Sequence, residues 1–145
     1  MIKIICVGKL KEQYLIDAVN DYLQRLSKYH KISIIELKDS NIKDEAVEIK
    51  KVIKKDDYLI PLVIDGKSYS SEELSNKINE LFVNGKSNIT FIIGGSNGID
   101  DSALNIANET ISFSKLTFPH GLFRVIFLEQ LYRCFKILNN EEYHK

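Results

Sequence analysis

The sequence predicts an α/β fold, a mostly parallel sheet of five to six strands with helices on both faces. Short runs rich in Ile, Val and Leu alternate with stretches whose apolar residues recur at 3.6-residue spacing, and the alternation repeats five times. The connections between them are short, and no internal repeat, low-complexity stretch or linker divides the chain. With 145 residues and 44% hydrophobic content, one continuous core is affordable, so residues 1–145 read as a single domain.

The elements follow in order. Ile2 to Val7 is a buried strand ending at Gly8, and the helix after it carries Leu15, Ala18, Val19, Tyr22, Leu23 and Leu26 on one face. Ile32 to Leu37 is the second strand. Asp44 to Lys55 is a shorter helix with Ala46, Ile49, Val52 and Ile53 inward and its lysines solvated. Tyr58 to Ile64 is the third strand, closed by the turn pair Asp65-Gly66, and Pro61 within it argues for an edge position or an early irregularity. Ser70 and Glu73 form a capping box for a helix that ends at Gly85. Asn88 to Ile93 is the fourth strand, Asp101 to Glu109 a short helix and Ile111 to Leu116 the fifth strand. Pro119 opens a last helix with Leu122, Phe123, Ile126, Phe127, Leu131, Phe135 and Leu138 as its apolar stripe.

Composition sets limits on function. Twenty basic and twenty acidic residues cancel, which argues against coating nucleic acid by bulk charge but leaves room for a local basic patch. Cys6 and Cys134 have neither metal-ligand spacing nor a disulfide framework, and read as two buried thiols. No apolar run is long enough for a membrane span, so the chain is expected to be cytoplasmic.

Chemistry is expected where strands end in Gly- or Pro-containing loops, since open α/β sheets bind small ligands at that edge. Gly94-Gly95-Ser96-Asn97-Gly98 follows a strand and precedes a helix, but lacks Gly-x-Gly-x-x-Gly spacing, and Asp100 and Asp101 oppose a phosphate there. A tight turn and a loop for a nucleoside are both open. Ser114 to His120 sets two hydroxyls, a lysine and an aromatic ring around an X-Pro bond, which suits a purine edge or, more simply, a helix entry with Thr117 near the cap. His120 is open to capping, packing or titration. Glu129 and Arg133 have the spacing of an intrahelical ion pair, and Arg124 and Arg133 are also candidates to hold phosphates. Taken alone, Tyr143-His144-Lys145 reads as a frayed tail.

Together, FIIGGSNGI, SFSKLTFPHGLFRVIFLEQLYRCFKI and the closing EEYHK resemble the ribosomal RNA large subunit methyltransferase H family, of the SPOUT class of RNA methyltransferases. MIKIICVGKLKEQYL and VIDGKSYSSEEL extend the similarity over nearly the whole chain, with the segment from Lys38 to Tyr58 shorter than the family pattern. The resemblance implies a C-terminal trefoil knot, a homodimer, and S-adenosyl-L-methionine as methyl donor without a metal. It implies a donor site at Leu62, Gly95, Ser114, Lys115, Leu116, Thr117, Phe118 and Pro119, with Pro61 beside Leu62 a departure from the usual pattern. It also implies methylation of N3 of a pseudouridine in 23S rRNA of the assembled ribosome.

That chemistry assigns expected roles. The N3 proton must leave as the methyl arrives, so His144 is the expected acceptor, and Tyr143 is expected to stack on or hydrogen-bond the base. Arg133 and Lys145 would hold RNA, with Glu129 orienting Arg133. The alternating pattern alone also permits a non-catalytic flavodoxin-like binding module, or a ribosome-associated factor that binds rRNA without activity.

Overall fold

The computed structural model describes residues 1–143; His144 and Lys145 lie outside the described residues. Strand β1 (Ile2–Val7) leads into helix α1 (Gln13–Leu26), then β2 (Ile32–Leu37) and α2 (Ile42–Val52). Strand β3 (Tyr58–Ser68), α3 (Ser71–Val83), β4 (Ile89–Ile93) and α4 (Asp101–Leu104) follow, and the chain closes with β5 (Ile111–Ser112) and α5 (His120–Leu138). The five strands form one sheet in the order β2-β1-β4-β3-β5, and every pairing is parallel.

Period-two alternation divides the sheet between two cores. Ile2, Ile4, Cys6, Ile60, Leu62, Phe91 and Ile93 face the larger one, which α1, α3 and α5 cover through Leu15, Val19, Ile78, Phe127 and Leu131. Ile5, Val7, Leu59 and Ile92 face the other side, where Ile49 of α2 packs. Helices therefore cover both faces, as predicted. Leu122, placed inward by spacing, is instead 40% exposed, while Leu128 and Tyr132 are buried because α5 packs against both α1 and α3.

Local signals explain the helix ends. Asn41 accepts from the Asp44 amide to cap α2, so this helix starts and stops earlier than the predicted Asp44 to Lys55. Ser70 and Glu73 form the full capping box, and Gly85 adopts φ +83 just past the C-cap of α3. Lys3 lies buried in β1, where its Nζ donates to the Asp57 carboxylate at 2.9 Å and to the Val52 carbonyl at 3.1 Å.

Two predictions around β3 are corrected, and for Pro61 the irregularity holds where the edge position does not. Asp65-Gly66 makes no turn, and the strand continues to Ser68 with a register shift. Ile111 pairs with both Leu62 and Lys67 across that shift, and a Cβ on Gly66 would stand 2.6 Å from the Ile111 carbonyl carbon, so glycine is what lets β5 pass. Pro61 sits in an interior strand, but at its position only β4 is paired. The helix predicted over residues 101–109 stops at Leu104. Asn108 and Glu109 donate to the Leu59 carbonyl and Asn108 Oδ1 accepts the Leu59 amide, so this stretch completes the edge of β3 instead.

Glu109 is then fixed by Tyr58 (2.7 Å), Tyr69 (3.2 Å) and Lys77 (2.9 Å). Burial alone would raise its pKa, yet these donors outweigh it and hold the carboxyl below its ordinary value. Strand β5 ends at Ser112 rather than Leu116 because Ser112 Oγ donates to the Ser114 carbonyl and Ser114 Oγ accepts the Leu116 amide, turning the chain out of the sheet.

Candidate active site

Leu62 stands opposite Ile93 of β4 on one side and Ile111 of β5 on the other. Two residues beyond Ile93 lies Gly95, and beyond Ile111 the chain enters Ser114 to Pro119. Strand register thus brings the three separated segments expected to bind a donor to one carboxyl edge of the sheet.

The glycine loop is tight. The Gly98 amide donates to the Gly95 carbonyl at 3.1 Å, and Gly98 has φ +82. A Cβ at Gly95 would meet Val7 at 3.1 Å and the Asp39 carboxylate at 3.3 Å, so a side chain there would crowd the edge. Asp100 accepts from the Ser102 amide and caps α4, which closes that helix start to a phosphate.

The loop from Ser114 to Pro119 is open. The backbone amides of Lys115, Thr117 and Phe118 donate to no described residue, and all three residues are exposed. Leu116 is 72% exposed, and Phe118, stacked on Phe123 with centroids 6.2 Å apart, borders a cavity of about 330 Å3 with Phe113, Tyr69 and Gln130. Free amides beside apolar surface fit an adenosine better than a phosphate chain. Thr117 does not cap α5; the N-cap position is Pro119, without a side-chain cap.

The second set of expected residues gathers elsewhere. Arg133 Nε donates to both Glu129 oxygens at 3.1 and 3.3 Å, and its guanidinium carbon lies 4.9 Å from the Tyr143 ring centre. Tyr143 also meets Tyr132 edge-on with centroids 5.0 Å apart, so at this residue the tail is docked rather than frayed. Burial, with help from neighbouring Tyr22, pushes the Tyr143 phenol up to about 12, which keeps it a hydrogen-bond donor near neutral pH. Arg133 lies thirteen residue steps beyond His120 on α5, about 20 Å along the axis. Arg133, with Glu129 and Tyr143 beside it, therefore stands well along α5 from the loop of Ser114 to Pro119. His144 and Lys145, expected with them, lie outside the described residues.

Arg124, considered for phosphate, is 2% exposed and already engaged by Glu36 and the Gly8 carbonyl. Residues the sequence left unassigned stand nearby. At Gly8, φ is +102, and a Cβ there would lie 2.9 Å from His120 Nε2 and 3.3 Å from Asp39 Oδ2. Their meeting depends on β1 lying between β2 and β4, which no local signal encodes.

A five-stranded parallel sheet with helices on both faces, whose register brings Leu62, Gly95 and the loop from Ser114 to Pro119 to one edge, defines an α/β protein with a candidate ligand site there. The family model described as a predicted SPOUT methyltransferase matches residues 1–144, and the chain belongs to that family. It is 49% identical to the ribosomal RNA large subunit methyltransferase H of Clostridium novyi and 45% identical to that of Enterococcus faecalis, each alignment spanning 99% of both chains. Both alignments run to 157 positions against the 145 residues here, so at least 12 positions have no counterpart in this chain. Among solved structures, that of a probable methylase family protein from Haemophilus influenzae superposes with a TM-score of 0.58 at 13% identity, covering 99% of this chain and 70% of the other, and shows the shared fold.

Among the described residues, no helix is long and apolar enough to cross a membrane, and no group of three or more His, Cys, Asp or Glu is placed to hold a metal ion.

Proposed function

We propose that this chain, a single domain over residues 1–145, is an S-adenosyl-L-methionine-dependent methyltransferase of the cytoplasm. In this reading it acts as a homodimer on N3 of a pseudouridine in 23S rRNA of the assembled ribosome. The observation that carries the donor assignment is the register that sets Leu62 between Ile93 and Ile111, so that Gly95 and Ser114 to Pro119 rise from adjacent strands.

The sulfonium donor supplies an already activated methyl group. Everything else asked of the chain is placement. The amides of Lys115, Thr117 and Phe118 would pair with the adenine edge, Leu62, Leu116 and Pro119 would shield its faces, and Ser114 would hold the loop in shape. Gly95 would let the ligand sit close to the backbone. The knot of the family belongs to the same reading, supported by the passage of Ile111 against Gly66.

A distance supports the homodimer. With the donor loop at one end of α5 and the Glu129, Arg133 and Tyr143 cluster about 20 Å further along, the two meet only if a second copy brings its cluster to the first copy's loop. Tyr143, with His144 and Lys145 of the same tail, would then engage the base and RNA backbone, and Glu129 would orient Arg133. Folded rRNA offers shape as well as charge, which suits a protein of zero net charge.

Incubating the protein with methyl-labelled S-adenosyl-L-methionine and purified ribosomes, then mapping the modified nucleotide, tests the proposal. Label at N3 of one 23S pseudouridine is expected. Saturable donor binding without label on any RNA would mark a binding protein instead.

A further inference from the structure

The turn from α1 into β2, at the sheet end opposite the donor edge, carries two cations without a counter-ion among the described residues. Ser27, Lys28, Tyr29, His30 and Lys31 border a cavity of about 370 Å3 there. Lys28 and Lys31 are exposed, and neither ammonium group forms an ion pair with a described residue. Their backbone amides likewise donate to no described residue. Lysines after a helix commonly answer its dipole, but the last carbonyls of α1 are already taken, Leu23 and Gln24 by Ser27 and Leu26 by Tyr29 and His30. The turn itself is held stiffly. The His30 ring stacks on Phe82 and Phe135 with centroids 4.7 and 5.9 Å apart, and burial lowers its pKa, so it stays uncharged near neutral pH. The charge here comes from the two lysines.

A track of rings and cations leads from this corner to the tail. Lys28 Nζ lies 5.2 Å from the centre of the Tyr29 ring, Tyr29 meets Tyr132 at 6.2 Å, and Tyr132 meets Tyr143 at 5.0 Å. The other cations beside these rings are paired within the fold, Arg25 with Asp21, Lys136 with Glu141 and Arg133 with Glu129. Glu141 also faces Lys28, but its hydrogen bonds come from Tyr29 and Lys136. Lys28 and Lys31 are left for an outside anion. We propose that these two lysines and their free amides hold phosphates of the rRNA strand flanking the nucleotide that Tyr143 engages. The assignment rests on the rRNA methyltransferase reading above. Each ammonium group offers a point charge, and each unpaired amide aims a donor at a phosphate oxygen. Such contacts release counterions, so they strengthen binding most at low salt. Standing apart from the reacting atoms, they govern how the ribosome is held and leave the transfer step to the active site.

The test uses full-length protein carrying Lys28→Gln and Lys31→Gln together, with purified ribosomes over a range of salt, read as kcat and KM beside calorimetry with S-adenosylhomocysteine. KM is expected to rise about tenfold at low salt while kcat and analogue affinity stay within about twofold, and the slope of log KM against log salt to fall by about 1 to 2. Lys28→Arg with Lys31→Arg should bring KM back to within about threefold of wild type, since the charge is kept. An unchanged KM, or a raised KM with the wild-type salt slope, would overturn the inference and leave the methyltransferase reading intact. A second arm identifies what lies on the corner. Both native cysteines are buried, so Lys31→Cys can carry a photoactivatable crosslinker at one place. Crosslinks to 23S rRNA are expected, and crosslinks confined to ribosomal protein would overturn the inference. This arm needs no methyl transfer, so failure of the methyltransferase reading would show separately, as wild-type protein that transfers nothing.

Discussion

The guanidinium of Arg133 covers the ring of Tyr143, 4.9 Å from its centre, and joins the end of the chain to α5. Arg133→Ala would release that ring and leave Glu129 without its fork of hydrogen bonds. Methyl transfer to ribosomes is expected to fall by about 100-fold while donor affinity stays within about twofold, because Arg133 stands about 20 Å along α5 from the donor loop. Calorimetry beside a transfer assay checks both, and a parallel loss of donor binding would count against a site shared between two copies.

The hydroxyl of Tyr143 can be separated from its ring. Because burial pushes this phenol up to about 12, it donates rather than accepts near neutral pH, and Tyr143→Phe is expected to reduce turnover by about tenfold without moving the pH optimum. A shifted optimum in the transfer assay would show that the phenol itself titrates during the reaction.

Gly66 is expected to resist substitution on steric grounds. Its missing Cβ would stand 2.6 to 2.9 Å from three backbone atoms of Ile111, and backbone within a sheet has little room to yield. Gly66→Ala should destabilise the fold by about 1–3 kcal/mol, measured by urea unfolding, whereas Gly85→Asn, in open space at φ +83, should cost less than about 1 kcal/mol.

Acid should weaken the fold through three paired carboxyls. At Glu36, Asp57 and Glu109, burial pushes the pKa up, but hydrogen bonds and positive partners outweigh it, so each lies below its ordinary value. A depressed folded pKa gives stability that is complete above the unfolded value and disappears as pH falls through the folded one. Unfolding midpoints are therefore expected to hold steady near neutrality and drop below about pH 4, less steeply in Glu109→Gln. A midpoint that rises on acidification would contradict this.

Cys6 and Cys134 should be inert in the native protein. Both are fully buried, and burial pushes each thiol up to about 11, leaving little thiolate at neutral pH. A thiol reagent at neutral pH should label neither without denaturant and both after unfolding, as counted by mass spectrometry.

Much of this architecture was legible locally. The capping box at Ser70 and Glu73, the glycine after α3 and the apolar periods of β1, α1 and β4 depend on neighbours in sequence, and the structure keeps them. The misread parts depend on distant residues: Asn108 is drawn from a helix to the edge of β3 by Leu59, and Gly66 from a turn into a strand by Ile111. Family resemblance pointed to Leu62, Gly95 and Ser114 to Pro119, and their shared edge needed the strand order to become visible. Asp39 had no local mark, and Gly8 and His120 were visible only singly, since their approach to one another depends on the tertiary fold.

Strand order also bears on how the protein comes into being. β1 and β2, and likewise β3 and β4, are neighbours both along the chain and across the sheet, but β4 must insert beside β1, and β5 must find β3. Such long-range pairing makes for slow assembly. During synthesis the edge formed by Leu62, Gly95 and Ser114 to Pro119 cannot exist until residues beyond Ile111 have emerged. A ligand that recognises that edge would accordingly act late, as a clamp on a finished molecule rather than as a template for an unfinished one.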